Sequence, residues 1–189
     1  VMTATPAAYF DECWSRSDDP WDHASRFYEW RKYGMTVAAL PRPRYVRAFE
    51  PACGIGVLTR MLAERTDIVV AGDRHPRAVE VARRRCSDQP GVTVEPMVLP
   101  EDWPAGRFDL VVCSELLYYF DRPTIDVVIE RFAHSLAMGG DLVAVHYRRH
   151  VPEHAAGGDE VHGRLGAHPA FVRTARYEEA DFVLEVFHR

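Results

Sequence analysis

A chain of 189 residues, 47% hydrophobic and 27% charged, suits one globular domain with a sizeable core. Its formal charge of −5, with Arg83-Arg84-Arg85 as the only basic cluster, excludes the concentrated positive footprint that nucleic acid requires. No stretch approaches the ~18 continuous apolar residues of a membrane span and no basic-then-apolar signal opens the chain, so neither a membrane segment nor secretion is expected. The widely spaced Cys13, Cys53, Cys86 and Cys113 read as reduced thiols of a cytoplasmic protein. Val1-Met2 reads as a remnant added ahead of the natural sequence.

Helical patterns over Pro6–Ser15 and Asp22–Ala39 form an aromatic-rich start, which Pro41-Arg42-Pro43 breaks before a strand at Val46–Phe49. A second strand, Ile68–Ala71, precedes a helix over Pro76–Cys86, with the proline in its first turn. Val92–Val98 and the continuous apolar run Phe108–Cys113 read as strands three and four, the latter covered on both faces. A helix from Pro123 to Ala137, stopped by Gly139-Gly140, leads to strand five at Leu142–Tyr147. The rhythm then changes. His154–Gly166 is polar and glycine-bearing, and Phe171–Ala175 with Phe182–Phe187 form a closing hairpin at the sheet edge. The alternation of strand and helix predicts a mostly parallel sheet flanked by helices in one domain, with residues 1–40 as a helical cap and 44–189 as the core.

The stretch that carries chemistry is Val46–Gly56 followed, 23 residues after Glu50, by Asp73. An apolar strand, a small-residue turn at Ala52, Gly54 and Gly56, a helix from Val57 and a second strand ending in an acid are the opening of a Rossmann-like unit. A dinucleotide is disfavoured: Thr59 stands where the third glycine of a pyrophosphate turn belongs, and Glu50 would repel a phosphate. This argues against a nicotinamide-dependent reductase. A ribose-bearing cation fits instead. S-adenosyl-L-methionine has a positive sulfonium and amine, a carboxylate for the turn amides, and a ribose diol for Asp73.

Glu50–Gly56, Asp73 in Gly-Asp-Arg-His-Pro-Arg-Ala, Phe108–Tyr119 and Leu136–Val143 together resemble the class I S-adenosylmethionine-dependent methyltransferases. Asp18-Asp19-Pro20-Trp21, with Arg31 ten residues after Trp21, narrows the resemblance to the nodulation protein S family. That family includes an N-methyltransferase acting on the free amine of a deacetylated chito-oligosaccharide. The resemblance implies a Rossmann-like α/β fold with a seven-stranded, mostly parallel sheet, a carboxyl-terminal antiparallel hairpin and an amino-terminal helical cap. It also implies S-adenosyl-L-methionine as cofactor, held by Trp21, Arg31, Glu50, Ala52, Gly54, Gly56, Asp73, Arg74, Met97, Val98, Leu99, Ser114 and Glu115. Two positions depart from the pattern. Ala52 replaces a glycine, tolerable if its φ is near or below zero, and Met97-Val98-Leu99 replaces an acid near the adenine, leaving the exocyclic amine to a backbone carbonyl, Glu101 or Asp102.

Methyl transfer from a sulfonium needs alignment and water exclusion more than covalent help. An amine acceptor adds a protonation problem, because an ammonium has no lone pair. The expected acceptor-side residues lie at the carboxyl ends of strands four and five: Glu115, Tyr118 with Tyr119, and His146, with Glu115 or His146 as base. Asp159 and His162 lie on the glycine-bearing segment that could fold over the opening. His146, His150 and His154 repeat every four residues, but that spacing faces one way only on a helix, so no metal is expected. The expected partner is a small-molecule amine or hydroxyl, sugars included. The chemistry is N-methylation of an amino-sugar or related amine, with O-methylation of a hydroxyl or carboxylate of a small natural-product intermediate second. A non-catalytic module that binds the cofactor is the reading from another class.

Overall fold

The first strand begins where two prolines, with fixed φ and no N–H, have ended the amino-terminal helices. The computed structural model describes residues 3–189; Val1-Met2, read as a remnant, lies outside the described residues. The chain divides into two compact units, Pro6–Pro104 and Ala105–Arg189 with the amino-terminal residues up to Thr5. The first holds α1 (Ala7–Arg16), α2 (Phe27–Ala38), β1 (Tyr45–Pro51), α3 (Val57–Ala63), β2 (Thr66–Asp73), α4 (Pro76–Arg85) and β3 (Val92–Pro96). The second holds β4 (Phe108–Ser114), a 3-10 turn (Leu117–Tyr119), α5 (Arg122–Ser135), β5 (Leu136–Tyr147), α6 (Gly158–Ala167), β6 (Val172–Glu178) and β7 (Phe182–His188).

The strand order is β3-β2-β1-β4-β5-β7-β6, a seven-stranded sheet. β1–β2, β2–β3 and β4–β5 pair in parallel, whereas β7 runs antiparallel to β5 and β6. This is the mostly parallel sheet that the alternation predicted, with the closing hairpin expected from the two late apolar runs, and the seven-stranded Rossmann-like arrangement that the resemblance implied. In the first unit, parallel register sets Glu50 beside Ala71 and Pro51 beside Gly72, so the ends of β1 and β2 lie level. Each unit has its own core: Phe49, Leu62 and Ala82 in the first, and Val112, Phe132, Val143 and Phe187 in the second, are all fully buried. β6, at the end of the strand order, is exposed along its whole length.

Three local expectations fail for physical reasons. The second helix starts at Phe27 rather than Asp22, because the Asp19 carboxylate accepts the N–H groups of His23 (2.8 Å) and Ala24 (2.9 Å) and holds a turn there. α5 stops at Ser135, well before Gly139-Gly140. Arg107 donates to the carbonyls of His134 (2.9 Å) and Leu136 (3.2 Å), doing the work assigned to a glycine cap, and the glycine pair lies inside β5. The segment read as a loop that could fold over an opening is instead largely the helix α6, with Val161, His162 and Leu165 buried.

Candidate active site

In the first unit β1 delivers Glu50, 2% exposed, into a turn with three left-handed residues: Ala52 (φ 55°), Gly54 (φ 54°) and Gly56 (φ 78°). The Cys53 N–H donates to Gly72 O (2.8 Å) and the Gly56 N–H to Cys53 O (2.9 Å), so the coil closes on β2 before α3 begins. The expectation that Ala52 keeps a φ near or below zero is therefore overturned. The turn needs a left-handed residue at that position, and alanine supplies it at a strain of about 1 kcal/mol. Gly56 is required on two counts: its φ is positive, and a Cβ there would lie 3.0 Å from Ala82 Cβ and 3.1 Å from Ala82 Cα. Asp73 ends β2 and closes the arrangement, its two carboxylate oxygens accepting from the Gly54 N–H (3.0 Å) and the His75 N–H (2.9 Å).

Burial pushes the Glu50 carboxyl from 4.5 up to about 8, with Thr59 opposing the rise and the Asp73 charge adding to it. Burial also raises Asp73, against the two amides that its carboxylate accepts. Among the described residues the buried Glu50 Oε2 has no hydrogen-bond partner, an arrangement that is costly unless a ligand supplies one. A cationic ligand with donors would fit this need, and the lone pairs left on Asp73 can accept from hydroxyl groups.

The amino-terminal segment covers this turn with aromatic rings. Trp14, 2% exposed, stacks on His75 (5.3 Å between centroids) and meets Trp21 edge-on (5.8 Å). Trp21 in turn stacks on His23 (5.7 Å), and a Cβ on Gly54 would lie 3.3 Å from His23 Nδ1. The Arg74 guanidinium lies over Phe10, and Arg31 is half-buried on α2. Next to it Lys32 is the buried cation, paired with Glu29 at 2.8 Å and lying over the rings of Tyr28 and Tyr33. His23 and Lys32 are absent from the sequence reading. The Glu29/Lys32 spacing of three was the available signal for the latter. Beyond β3, Met97 is buried against Gly72, Leu99 is half-buried and Val98 is 45% exposed. Asp102 accepts from the Val98 N–H (2.8 Å) and so shapes this turn.

In the second unit β4 ends at buried Ser114, and Glu115 takes a left-handed φ of 53°. Its carboxylate accepts the Tyr118 hydroxyl and the Tyr147 N–H (3.2 Å). A strained non-glycine residue at the carboxyl end of a strand is a frequent mark of a functional site. His154 stacks on Tyr118 (3.8 Å) and touches Tyr119 edge-on (4.9 Å). Partial burial holds the His154 pKa below its usual value, with the Glu115 charge pulling it back up. His146 is fully buried: its Nε2 accepts from the Leu117 N–H (3.2 Å) and its Nδ1 meets His162 Nε2 (3.1 Å). Asp159 pairs with Arg148 at 2.8 Å. Among the described residues no group of three or more His, Cys, Asp or Glu side chains is arranged to hold a metal ion. No helix among them is long and apolar enough to cross a membrane.

Residues 48–140 match the methyltransferase domain family. A Pseudomonas syringae protein of solved structure, named for a methyltransferase, is 41% identical to this chain, with 87% of this chain and 100% of that one covered and a TM-score of 0.77. The N-methyltransferase nodulation protein S of Bradyrhizobium japonicum WM9, solved with S-adenosyl-L-homocysteine, superposes with a TM-score of 0.85 at 23% identity, covering 95% of this chain and 96% of that one. Nodulation protein S of Bradyrhizobium diazoefficiens is 27% identical over 149 residues, 76% of this chain and 71% of that protein. Acid, left-handed turn, helix and second acid thus stand in a chain whose full-length likeness is to methyltransferases, and the chain belongs to the methyltransferase domain family.

Proposed function

We propose that this chain transfers a methyl group to the nitrogen of a small polar amine, an amino-sugar first among them. The observation that carries the reading is Glu115, a partly exposed carboxylate at the end of β4 whose geometry is fixed by the Tyr118 hydroxyl and the Tyr147 amide. S-adenosylmethionine, when bound, supplies a methyl already activated by positive sulfur. Glu50 and Asp73, with the backbone of the Ala52–Gly56 turn, hold it, and Trp21, Arg31, Arg74 and Met97–Leu99 are assigned to its periphery. Glu115 stabilises the acceptor as an ammonium and accepts its proton, leaving a lone pair for attack. Tyr118 orients that carboxylate. His146, expected as an alternative base, is reassigned to support, because its burial and engaged ring nitrogens keep it from an acceptor. The two units are read as one methyltransferase domain working in the cytoplasm. The charge of −5 favours a small molecule over nucleic acid as its partner.

Mass spectrometry of deacetylated chito-oligosaccharides and small amines, incubated with enzyme and isotope-labelled cofactor, tests this. Label on nitrogen is expected. Label on a hydroxyl or carboxylate overturns the amine assignment, and tight cofactor binding without transfer to any acceptor points to the non-catalytic module. Glu115→Gln keeps size and reach but removes the charge, and should lower the single-turnover rate about 100-fold with little change in cofactor affinity. A wild-type rate in that variant would remove Glu115 from the chemistry.

A further inference from the structure

Behind Glu115 the second unit holds a chain of buried polar side chains that the proposed transfer does not use. His146 on β5, His162 on α6 and Glu185 on β7 are 0%, 1% and 0% exposed. The Leu117 N–H donates to His146 Nε2 (3.2 Å), His146 Nδ1 meets His162 Nε2 (3.1 Å), and His162 Nδ1 meets Glu185 Oε2 (2.7 Å). Arg173 (2.8 Å) and Arg176 (2.6 Å) hold the other carboxylate oxygen.

The direction of every link is determined. An amide N–H can only donate, so His146 Nε2 carries no proton and the ring's single proton is on Nδ1. That proton goes to His162 Nε2, which leaves His162 its own proton on Nδ1 for Glu185. A second proton on either ring would break a bond of the chain. Burial drives the Glu185 carboxyl up, but the hydrogen bonds from His162 and the two arginines more than offset it, and Glu185 lies below the usual carboxylate range. The chain therefore has an ionised acid at one end and a backbone amide at the other.

That amide belongs to the turn Leu117–Tyr119, which starts two residues after Glu115, and the Tyr118 ring packs edge-on to His146 (5.3 Å). We propose that His162 and Glu185 are positioning residues, which fix one tautomer of His146 and through it the turn that presents the Tyr118 hydroxyl to Glu115. The proposal rests on the reading of Glu115 as the acceptor-side group. A leucine at position 146 would fill the space but leave the Leu117 N–H unpaired. A histidine alone would fill it in either tautomer, and only one of them can accept from that amide. The carboxylate removes the choice, as it does for metal-binding histidines in other proteins.

Nitrogen-15 NMR of the wild-type protein tests the chain directly. Both histidines should be neutral with the proton on Nδ1, and a proton on His146 Nε2 overturns the proposal. Glu185→Gln should remain folded by circular dichroism and bind cofactor within about twofold of wild type, while kcat falls about tenfold at nearly constant acceptor KM and the pH profile of kcat moves. A purely structural role would lower the melting temperature and leave kcat and its pH profile in place, which refutes the positioning role. Should Glu185→Gln fail to fold, Arg173→Ala with Arg176→Ala removes only the outer clamp, and a smaller loss of kcat in the same sense is expected; an unchanged kcat refutes it. A slow Glu185→Gln beside a wild-type Glu115→Gln supports positioning of the turn while overturning the acceptor role of Glu115.

Discussion

Replacing Glu50 with glutamine separates the two things this residue does, because glutamine copies the neutral acid in shape but cannot ionise. Glu50 is 2% exposed, and its pKa rises from 4.5 to about 8 through burial first, Thr59 opposing and Asp73 adding. A carboxyl whose pKa is higher folded than unfolded ionises more readily in the unfolded chain. The contribution of Glu50 to folding stability is therefore greatest below pH 4.5 and is lost progressively as pH rises towards 8. Counted from pH 4.5, the loss at ~1.36 kcal/mol per pH unit is about 3 kcal/mol by pH 7 and about 5 kcal/mol above pH 8. Asp73, also raised by burial, adds in the same direction. Glu50→Gln should thus match the wild type near pH 4.5 and exceed its stability by these amounts at higher pH, read by urea unfolding of the cofactor-free protein. Cofactor binding should show the opposite dependence. A cationic ligand favours the ionised acid, so wild-type affinity should rise about tenfold per pH unit up to pH 8, with release of close to one proton per cofactor at pH 7. Titration calorimetry in buffers of differing ionisation enthalpy measures that proton. Parallel stability curves for the two proteins, or binding without proton release, would refute the reasoning.

Asp73→Ala deprives the Gly54 and His75 amides of their acceptor, so it should cost about 1–3 kcal/mol of stability per amide as well as at least about tenfold in cofactor affinity. Calorimetric affinity within twofold of wild type would contradict the ribose role. Ala52→Gly relieves a φ of 55° and should stabilise the fold by up to about 1 kcal/mol, seen as a melting temperature higher by ~2–4 °C; a lower one would show that the turn gains from the methyl group. Gly56→Ala should destabilise by ~2 kcal/mol or more, because a left-handed φ of 78° combines with a Cβ 3.0 Å from Ala82. Unchanged thermal unfolding would mean that α4 can retreat at no cost.

The sheet was legible because hydrophobic runs such as Phe108–Cys113 and Val143–Tyr147 have the length and flanks of buried strands, and the cofactor turn was legible because acid, small residues and second acid follow in fixed order. What could not be read depends on contacts distant in sequence. The end of α5 is set by an arginine 27 residues before His134, and no local pattern reports that. The role of His146 depends on a helix and a hairpin that come later in the chain: His162 and Glu185 lie 16 and 39 positions beyond it. The left-handed Ala52 was misjudged because propensity sees one residue, whereas the turn is fixed by its pairing to Gly72 and Asp73.

The fully exposed edge strand β6 bears on how this protein behaves at high concentration. A bare sheet edge is a template on which another chain can add a strand, the first step towards fibrous aggregates. β6 counters this with a register shift between Arg173 and Ala175 and with guanidinium groups at positions 173 and 176. The shift spoils the regular ladder that an incoming strand would extend, and the charges resist drying of the edge. Both arginines also grip the buried Glu185, so the guanidinium groups that guard the edge are the ones that reach the interior carboxylate. Arginine at these two positions therefore serves colloidal safety and the interior together.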